Sequence, residues 1–331
     1  MMKLTEVFDS FREKKVLIIG DVMIDSYVFG AKKELDNIPS PILEVNRKEK
    51  RLGGAANVAL NIQALGATPI LCSVVGDDRN GQIFESLLDQ QGLPNKGIIR
   101  SQSRITTNKL RVLSGSNQLI RIDSEDTHPL IELDKKALFN HILDLIKECD
   151  VIIFEDYDKG TIYSEIISET IRIAKESSIP IVVDPRQQNF ESYKGVNLFK
   201  PGVQEIEDKL GYSIDKKDVS SVKKAFEELN DFIGADSYLL SMDNGEVFYL
   251  SEDYFLALPA INSGIPDMSG VGNALISVGG FGVVEGLEEE VIAALASVTV
   301  GIISQYTGVK PIDRDKLLKE ASKSEILKKY F

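Results

Sequence analysis

Short runs of continuously apolar residues alternate with longer helix-like stretches along this chain. The strand-like runs cover residues 16–19, 70–75, 151–154, 181–183 and 238–241. The helical patterns cover residues 55–65, 81–91, 133–149, 164–178, 219–232 and 274–284. Strands that are apolar throughout are typical of a mostly parallel sheet with helices on both faces. The alternation therefore predicts βαβ units and a doubly wound α/β fold.

Two stretches depart from this alternation. Residues 27–50 have extended character but contain Pro39 and Pro41, and proline is tolerated only at strand edges or bulges. Residues 106–123 predict a hairpin around a Ser-Gly-Ser-Asn turn. We expect these two stretches to pair as a small second sheet outside the core. At the end of the chain, residues 315–331 predict a lysine-rich amphipathic helix.

Composition excludes several classes of protein. The chain has 331 residues and a net charge of −13, which argues against general binding to nucleic acid or to anionic membranes. It has two cysteines and two histidines, so a disulfide framework, a zinc site or a Ser-His-Asp triad is hard to assemble. We find no apolar signal segment and no run of roughly 18 apolar residues. We expect a cytoplasmic protein.

Glycine-rich segments that precede apolar helices are the candidate ligand sites. The richest has the sequence DMSGVGN over residues 267–273. Glycines at a helix start leave free N–H groups at its positive end, which suits an anion. A tight turn without a ligand has the same spacing. The segment lacks the Gly-Lys-Ser/Thr of a P-loop, and Leu275 occupies the place where a dinucleotide fingerprint has a small residue.

Two further segments have polar or glycine residues beside predicted elements. Gly53 and Gly54 open the predicted helix, and Asn57 lies near its start, where an amide can bind a polyol hydroxyl. Residues 20–25 follow the first strand and bring carboxylates to the edge of a parallel sheet where ligands usually bind. Small-residue packing, helix capping or a solvated turn would explain the same residues.

Taken together, these segments resemble the ribokinase family of sugar kinases, also called PfkB carbohydrate kinases. The resemblance runs through nearly the whole chain, and its heptose-phosphate kinase branch is the most similar. It rests on residues 20–30, 52–67, 106–123, 155–160 (EDYDKG), 183–186 (VDPR) and 267–273. The family implies a single ribokinase-like domain over residues 1–331, with a small β-sheet lid formed by about 27–50 and 104–123. It also implies a homodimer through that lid.

The resemblance implies ATP-dependent phosphoryl transfer to a sugar hydroxyl, and it suggests roles for particular residues. Sugar hydroxyls would be held by Asp25, Gly53, Gly54 and Asn57. The phosphate of a sugar phosphate would meet Lys109, Arg111 and Arg121, unless these are solvated strand charges. The transferred phosphoryl group would lie in an anion hole of Gly270, Val271 and Gly272. The nucleotide would contact Ser241, Asp243, Gly245 and Gly308, and Glu205 would help to hold Mg²⁺ through water.

This sequence departs from the family pattern mainly on the ATP side. Asn273 stands where the family has the aspartate that takes the proton from the attacking hydroxyl. An amide cannot do so, and a general base is typically worth about 10²–10⁴ in rate. Gly202 replaces the asparagine of Asn-x-x-Glu, the motif at 241–245 is one residue short, and Val309 follows Gly308 in place of threonine. On the acceptor side, residues 33–37 (KELDN) replace Arg-x-Ser-Pro-Glu.

Three hypotheses follow from these departures. The protein could be an active kinase in which another carboxylate replaces the base. The candidates by sequence are Asp21, Asp25, Asp156, Asp158 and Asp267. It could instead be a catalytically inactive homologue that binds a sugar phosphate or acts as a dimer partner, with the apolar lid residues Val28, Phe29, Ile42 and Leu43 at the interface. Third, it could be an interaction protein without ligands, which the retained glycine pair and Asn57 disfavour.

Overall fold

A computed structural model describes residues 3–35, 38–115, 117–261, 268–306 and 308–331. The strands, in chain order, are β1 (Lys15–Gly20), β2 (Val22–Leu35), β3 (Ile38–Gly54), β4 (Thr68–Gly76), β5 (Gly97–Ser101), β6 (Asn108–Ser114), β7 (Asn117–Ser124), β8 (Val151–Glu155), β9 (Ile181–Asp184), β10 (Leu198–Phe199), β11 (Ser237–Ser241), β12 (Val247–Ser251) and β13 (Phe255–Leu258). The helices are α1 (Leu4–Ser10), α2 (Ala55–Leu65), α3 (Arg79–Gln90), α4 (Glu132–Leu145), α5 (Ser164–Glu176), α6 (Val203–Leu210), α7 (Val219–Ile233), α8 (Val271–Val284), α9 (Glu289–Ile303) and α10 (Arg314–Ala321).

The larger sheet is mostly parallel, as predicted. Within the described ranges it has nine strands in the order β13-β12-β11-β10-β9-β8-β1-β4-β5, with β12 and β13 antiparallel at one edge. From β1 the chain continues to β4 and β5 on one side, and later to β8 through β11 on the other. The strand order therefore reverses between β1 and β8. Ligands of such sheets usually bind outside the carboxyl ends of the strands at this reversal.

Strand β1 shows why the predicted strands are continuously apolar. Val16 and Ile18 enter the core that includes α2, α8 and α9, whereas Leu17 and Ile19 enter the core that includes α4, α5 and α7. All four side chains are completely buried. Because helices cover both faces of the sheet, neither set of alternating positions can be polar.

Two helical regions at the end of the chain differ from the sequence prediction. Helix α9 was not predicted, because every residue from Val291 to Ile303 is buried and the segment has no polar face. The predicted helix over residues 315–331 is wrong beyond α10. There the chain turns before a short 3₁₀ helix over Leu327–Lys329, and Leu327 is buried in the same core as Leu317 and Ala321 of α10. Among the described helices, none combines the length and apolar character needed to cross a bilayer.

The two predicted extra-core stretches form a small sheet with the order β3-β2-β6-β7. Strands β2 and β3 make a long antiparallel hairpin, β6 pairs with β2 in parallel, and β7 returns beside β6. Strand β3, which contains Pro39 and Pro41, lies at an edge, where a missing N–H donor is tolerated. Alternation along β2 directs Asp25, Tyr27 and Phe29 to the face that lines a cavity.

Candidate active site

A cavity of about 570 Å³ lies between the inner face of the small sheet and the start of α8. The small sheet contributes Asp25, Lys109 and Arg111 to its lining. Asn57 from α2 and Gly270 and Asn273 from the α8 turn line the same cavity. The predicted sugar residues and the predicted phosphoryl-transfer turn are therefore parts of one cavity.

The turn between β3 and α2 brings a polar side chain to this cavity. Gly54 has φ 60° and ψ −138°, a conformation that suits glycine. The turn is closed by the Ala55 N–H, which donates to the Asp21 carbonyl at 2.9 Å. Asn57 follows in the first turn of α2 and is only 4% exposed. Its Oδ1 is buried and has no hydrogen-bond partner among the described residues, so an unused acceptor lies beside the cavity.

Arginines stacked on aromatic rings form one wall of the cavity. The Arg47 guanidinium lies 4.0 Å from the centre of the Phe29 ring, and the Arg51 guanidinium lies 4.8 Å from that of Tyr27. Arg111 contacts Tyr27 from the neighbouring strand at 5.5 Å and pairs with the Asp25 carboxylate. Stacking fixes each guanidinium, and each is also paired with a carboxylate, Arg47 and Arg51 with Glu49 and Arg111 with Asp25. A ligand anion would share these guanidinium groups with the carboxylates.

Arg47 and Arg51 were missed by the sequence analysis. Only the pairing register of β2 with β3 places them opposite Phe29 and Asp25, on the inner face of the small sheet. Arg47 and Arg51 lie on the same side of the bulge next to Phe29 and share one face of β3 with Glu49, but the sequence alone does not show which face of that strand points inward.

The three cations predicted to bind the sugar phosphate, Lys109, Arg111 and Arg121, divide into two groups. Lys109 lines the cavity, and burial lowers its pKa although Glu125 lies 4.0 Å away. Arg121 lies opposite Arg111 on β7, where it pairs with Asp123 and does not line the cavity. The structure thus brings Lys109 and Arg111 to the candidate site and leaves Arg121 beside it.

The predicted anion hole lies at the start of α8. Gly270 has φ 81°, which suits glycine and allows the sharp turn into the helix. The Val271 N–H already donates to the Met268 carbonyl at 3.2 Å. The amides of Gly272 and Asn273 are therefore the ones that the positive end of the helix offers to an anion.

The side chain of Asn273 connects this turn to the rest of the site. Its Nδ2 donates to the Gly54 carbonyl at 3.2 Å, and its Oδ1 accepts a hydrogen bond from the Tyr157 hydroxyl at 3.3 Å. The predicted catalytic position is thus held by two hydrogen bonds. The Gly54 carbonyl needs a donor, and the Tyr157 hydroxyl needs an acceptor. An amide side chain provides both, whereas an ionised carboxylate provides only acceptors.

Charged residues lie beneath the α8 turn. A Cβ atom added to Gly272 would lie 3.5 Å from Lys200 Nζ and 3.7 Å from Asp184 Oδ2. Lys200 and Asp184 are buried and form an ion pair at 2.8 Å. Lys200 therefore places a positive charge next to the amides that would face an anion.

Glu205, the predicted metal residue, is paired with the Arg186 guanidinium. It also folds over Gly202, where a Cβ atom would overlap its carboxylate. The loss of the family asparagine at residue 202 thus leaves room for Glu205 to turn towards Arg186. Among the described residues, no cluster of three or more His, Cys, Asp or Glu side chains suits a metal ion.

Two of the proposed replacement bases have structural partners instead. The Asp21 carboxylate accepts hydrogen bonds from three backbone N–H groups, of Tyr157 (2.8 Å), Lys159 (3.1 Å) and Thr161 (3.1 Å). It therefore holds the loop after β8. Asp156 is buried, and burial next to Asp21 raises its pKa to about 7. Its carboxylate accepts hydrogen bonds inside the core from the side chains of Asn189 and Tyr193.

The other candidate bases are no better placed. Asp25 lines the cavity but is neutralised by Arg111. Asp158 lies in the loop after β8 with φ 54° and does not line the cavity. Asp267 lies outside the described residues.

The predicted nucleotide residues are dispersed. Ser241 ends β11, and Asp243 and Gly245 lie in the turn before β12, where the Asp243 side chain is 96% exposed. Gly308 instead lines the sugar-side cavity. A second cavity, of about 560 Å³, was not predicted. It is lined on one side by apolar side chains of β13 and α9, among them Leu258 and Val298, and on another by charged residues of α10, among them Lys316 and Glu320.

Comparison with protein families identifies the chain. The model of the pfkB family carbohydrate kinases matches residues 13–314. The chain belongs to this family. The predicted resemblance is confirmed, and membership in the pfkB family supports carbohydrate kinase activity, for which ATP and a divalent metal are generally needed.

Curated relatives of this pfkB family member carry the name bifunctional protein HldE. The one from Desulfatibacillum aliphaticivorans is 31% identical over 310 residues, which cover 93% of this chain and 63% of that protein. The one from Helicobacter pylori strain J99 is 32% identical over 265 residues, which cover 80% of this chain and 57% of that protein. The chain thus spans less than two thirds of the length of these relatives.

Solved structures confirm the fold. Phosphofructokinase-2 from Escherichia coli, solved with fructose-6-phosphate, has a TM-score of 0.76 at 16% identity, covering 94% of this chain and 99% of that one. Arabidopsis thaliana ribokinase, solved with ribose and ATP, has a TM-score of 0.70 at 15% identity, covering 93% and 99%. A large, mostly parallel sheet with a small second sheet is thus the fold of both this chain and these kinases.

Proposed function

We propose that this protein transfers a phosphoryl group from ATP to a hydroxyl of a heptose-phosphate-like sugar. One observation carries the proposal: a single cavity is bounded by a cationic wall, by unpartnered Asn57 Oδ1 and by the start of α8. A sugar, its existing phosphate and the incoming phosphoryl group each find matching chemistry there. From the same cavity we also propose that the chain forms a single ribokinase-like domain, in which the small sheet is the lid over the sugar.

The acceptor would lie against the small sheet. Its phosphate would meet Arg47, Arg111 and Lys109, because guanidinium edges and an ammonium group match phosphate oxygens. Its hydroxyls would bind Asn57 and Asp25, with the Gly53–Gly54 turn allowing close approach. These cations lie on one side of the cavity and α8 on the other, so the reacting hydroxyl would point away from the existing phosphate.

The donor phosphates would lie at the start of α8. The Gly272 and Asn273 amides and Lys200 would face the transferred group, where negative charge is stabilised during phosphoryl transfer. Mg²⁺ would neutralise phosphate charge, and Asp184 and Glu205 would hold it through water, in exchange for their present pairs with Lys200 and Arg186. The apolar side chains that line the unpredicted cavity beside α9 suit the adenine ring.

The second candidate is an inactive homologue that binds a sugar phosphate. It is favoured by Asn273, whose amide has no useful basicity, and by the Arg186–Glu205 pair over Gly202. This candidate keeps the sugar side of the site and loses the phosphoryl donor.

Release of ADP with a panel of sugars distinguishes the two candidates. We expect turnover with heptose 7-phosphate or a related sugar phosphate, and at least about tenfold lower kcat/KM with unphosphorylated sugars, because the cations lose their partner. Arg111→Met should raise the KM for the sugar phosphate about 10- to 100-fold. Arg121→Met, the matched control outside the cavity, should change it less than about threefold.

Each candidate predicts a different pattern in the same assay. Wild-type turnover of about 1 s⁻¹ or faster would exclude the inactive homologue, since that is an ordinary enzyme rate. No ADP release from wild type or from Asn273→Asp, with calorimetric binding of the sugar phosphate retained, would refute the proposed kinase.

We also propose a homodimer through the outer face of the small sheet. Ile120 and Ile122 of β7 are 53% and 47% exposed, and their neighbours in register on β6 are Val112 and Leu110. This row is the apolar face that a second copy could cover. Phe29, predicted for the interface, lines the cavity instead and is stacked by Arg47.

Light scattering at micromolar concentration tests the dimer. We expect twice the chain mass of 36.6 kDa, and a monomer for the double variant Ile120→Lys and Ile122→Lys. Ile131→Lys, an equally exposed isoleucine outside the small sheet, should leave the dimer intact. A wild-type monomer would refute the proposal.

A further inference from the structure

The ammonium group of Lys109 reaches the cavity without being used in a hydrogen bond. Lys109 lies on β6, lines the cavity and has a side chain that is only 14% exposed. Its Nζ makes no hydrogen bond to any of the described residues, and the carboxylate oxygen paired with it, Glu125 Oε2, lies 4.0 Å away. Because the stem of a lysine is long and flexible, a neighbouring group has to fix the position of its charge.

Glu125 is a carboxylate that lies between two ammonium groups. It follows β7, where the small sheet joins the rest of the chain. Its Oε1 accepts a hydrogen bond from Lys159 Nζ at 2.8 Å. Its Oε2, the oxygen 4.0 Å from Lys109, is buried and has no hydrogen-bond partner among the described residues. The carboxylate is therefore hydrogen-bonded to Lys159 and attracts Lys109 by charge alone.

The backbone of Lys159, in the loop after β8, is fixed on both sides. Its N–H donates to the Asp21 carboxylate at 3.1 Å, and its carbonyl accepts a hydrogen bond from the Arg104 guanidinium. Arg104 is only 8% exposed and also donates to the carbonyl of Asp126, the residue after Glu125, at 3.2 Å. Arg104 thus joins the two segments that carry Lys159 and Glu125, so this ion pair has a rigid base.

We propose that the Lys159–Glu125 pair positions the Lys109 ammonium for the phosphate of the acceptor sugar. The proposal deepens the acceptor site described under the proposed kinase function and rests on that function. Lys109 touches the phosphate, whereas Glu125 and Lys159 act through Lys109 as positioning residues. Because Glu125 attracts the ammonium without taking a hydrogen bond, all three N–H donors of Lys109 stay available to phosphate oxygens.

The charges around Lys109 explain why a carboxylate is needed there. Burial lowers the pKa of Lys109, Glu125 and Asp123 oppose this shift, and the charges of Lys159 and Arg121 lower the pKa further. Without Glu125, two mostly buried ammonium groups would repel each other with no anion between them. We therefore expect Lys109 to turn away from the cavity when residue 125 loses its charge.

Calorimetry on the full-length protein, with heptose 7-phosphate and with the unphosphorylated heptose, tests the proposal. Glu125→Gln should weaken binding of heptose 7-phosphate about tenfold, and in the ADP assay the loss should appear in KM. Lys159→Met should have a similar effect, because Glu125 is then free to take Lys109 in a hydrogen bond. Affinity for the unphosphorylated heptose should change less than about threefold in both variants, which also shows that they fold.

A control and a second background separate positioning from a structural role. Glu132→Gln, which breaks an ion pair with Lys135 away from the cavity, should match the wild type. In Lys109→Met the positioned ammonium is absent, so adding Glu125→Gln should cost less than about twofold.

Several outcomes would overturn the positioning role and leave the kinase function intact. These are an equal loss from Glu125→Gln with and without Lys109, an equal loss for phosphorylated and unphosphorylated heptose, and an unchanged affinity for heptose 7-phosphate. Tighter binding in Glu125→Gln would also overturn it, because the carboxylate would then compete with the phosphate. A wild type that does not bind heptose 7-phosphate would refute the acceptor site, and the positioning role with it.

Discussion

Gly54→Ala is expected to lower the free energy of unfolding by more than about 3 kcal/mol and to abolish binding of the sugar phosphate. The backbone at this residue has φ 60° and ψ −138°, which side chains other than glycine rarely adopt. A methyl group would also overlap the Asp21 carbonyl oxygen and would lie 3.0 Å from Met23 Cε. Urea unfolding measures the loss of stability, and calorimetry measures sugar binding.

A variant of a second glycine separates the cost of the steric clash at Gly54 from the cost of backbone strain. Gly92 has φ 66° but nothing within 4 Å of an added Cβ atom, so Gly92→Ala should cost only the strain, about 1–2 kcal/mol. Sugar-phosphate affinity should be unchanged, because Gly92 lies outside the cavity. If the two variants lose equal stability, the close packing of the β3–α2 turn against Asp21 is not what requires glycine at residue 54.

Much of the fold could be predicted because local patterns and burial agree. The run at residues 16–19 indicated a strand with helices on both faces, and β1 sends alternate side chains into two separate cores. The two proline- and turn-containing stretches were recognised as extra-core β-structure for equally local reasons. Helix α9 was missed because its burial is nearly complete, which erases the periodicity that marks a helix.

The candidate site was harder to predict from the sequence than the fold. Glycines and amides before helices indicated α2 and α8, because those signals lie within a few residues. The direction of the arginines in the cationic wall depends on how β3 pairs with β2, and Tyr157 reaches Asn273 from 116 residues away. Side chains that meet only through sheet topology leave no local pattern.

Asn273 illustrates how one exchange can change two properties. Asparagine removes the basicity of an aspartate, and its Nδ2 gains a hydrogen bond to the Gly54 carbonyl. An ionised aspartate would bring a negative oxygen towards that carbonyl instead, which is unfavourable unless it is protonated or rotated. The amide therefore links the phosphoryl-transfer turn to the sugar-binding turn.

Gly272→Ala should lower activity and leave stability nearly unchanged, whereas Gly54→Ala should lower both stability and sugar binding. The added Cβ atom would lie 3.5 Å from Lys200 Nζ and 3.7 Å from Asp184 Oδ2, which are ordinary contacts. The fold should tolerate it, with a change in the free energy of unfolding below about 1 kcal/mol. The methyl group would, however, occupy the gap between the α8 amides and Lys200, where the phosphoryl group would lie. We expect kcat to fall about 10²–10³-fold, as when a donor of an oxyanion hole is removed.

A glycine further along the same helix provides the control. Gly280 faces the core, where an added Cβ atom would lie 3.2 Å from Ile153 Cδ1. Gly280→Ala should therefore affect packing and leave kcat within about threefold, because the start of α8 is undisturbed. If Gly272→Ala keeps the wild-type kcat, the α8 turn does not hold the transferred group, because the methyl group would lie beside Lys200 Nζ at the turn.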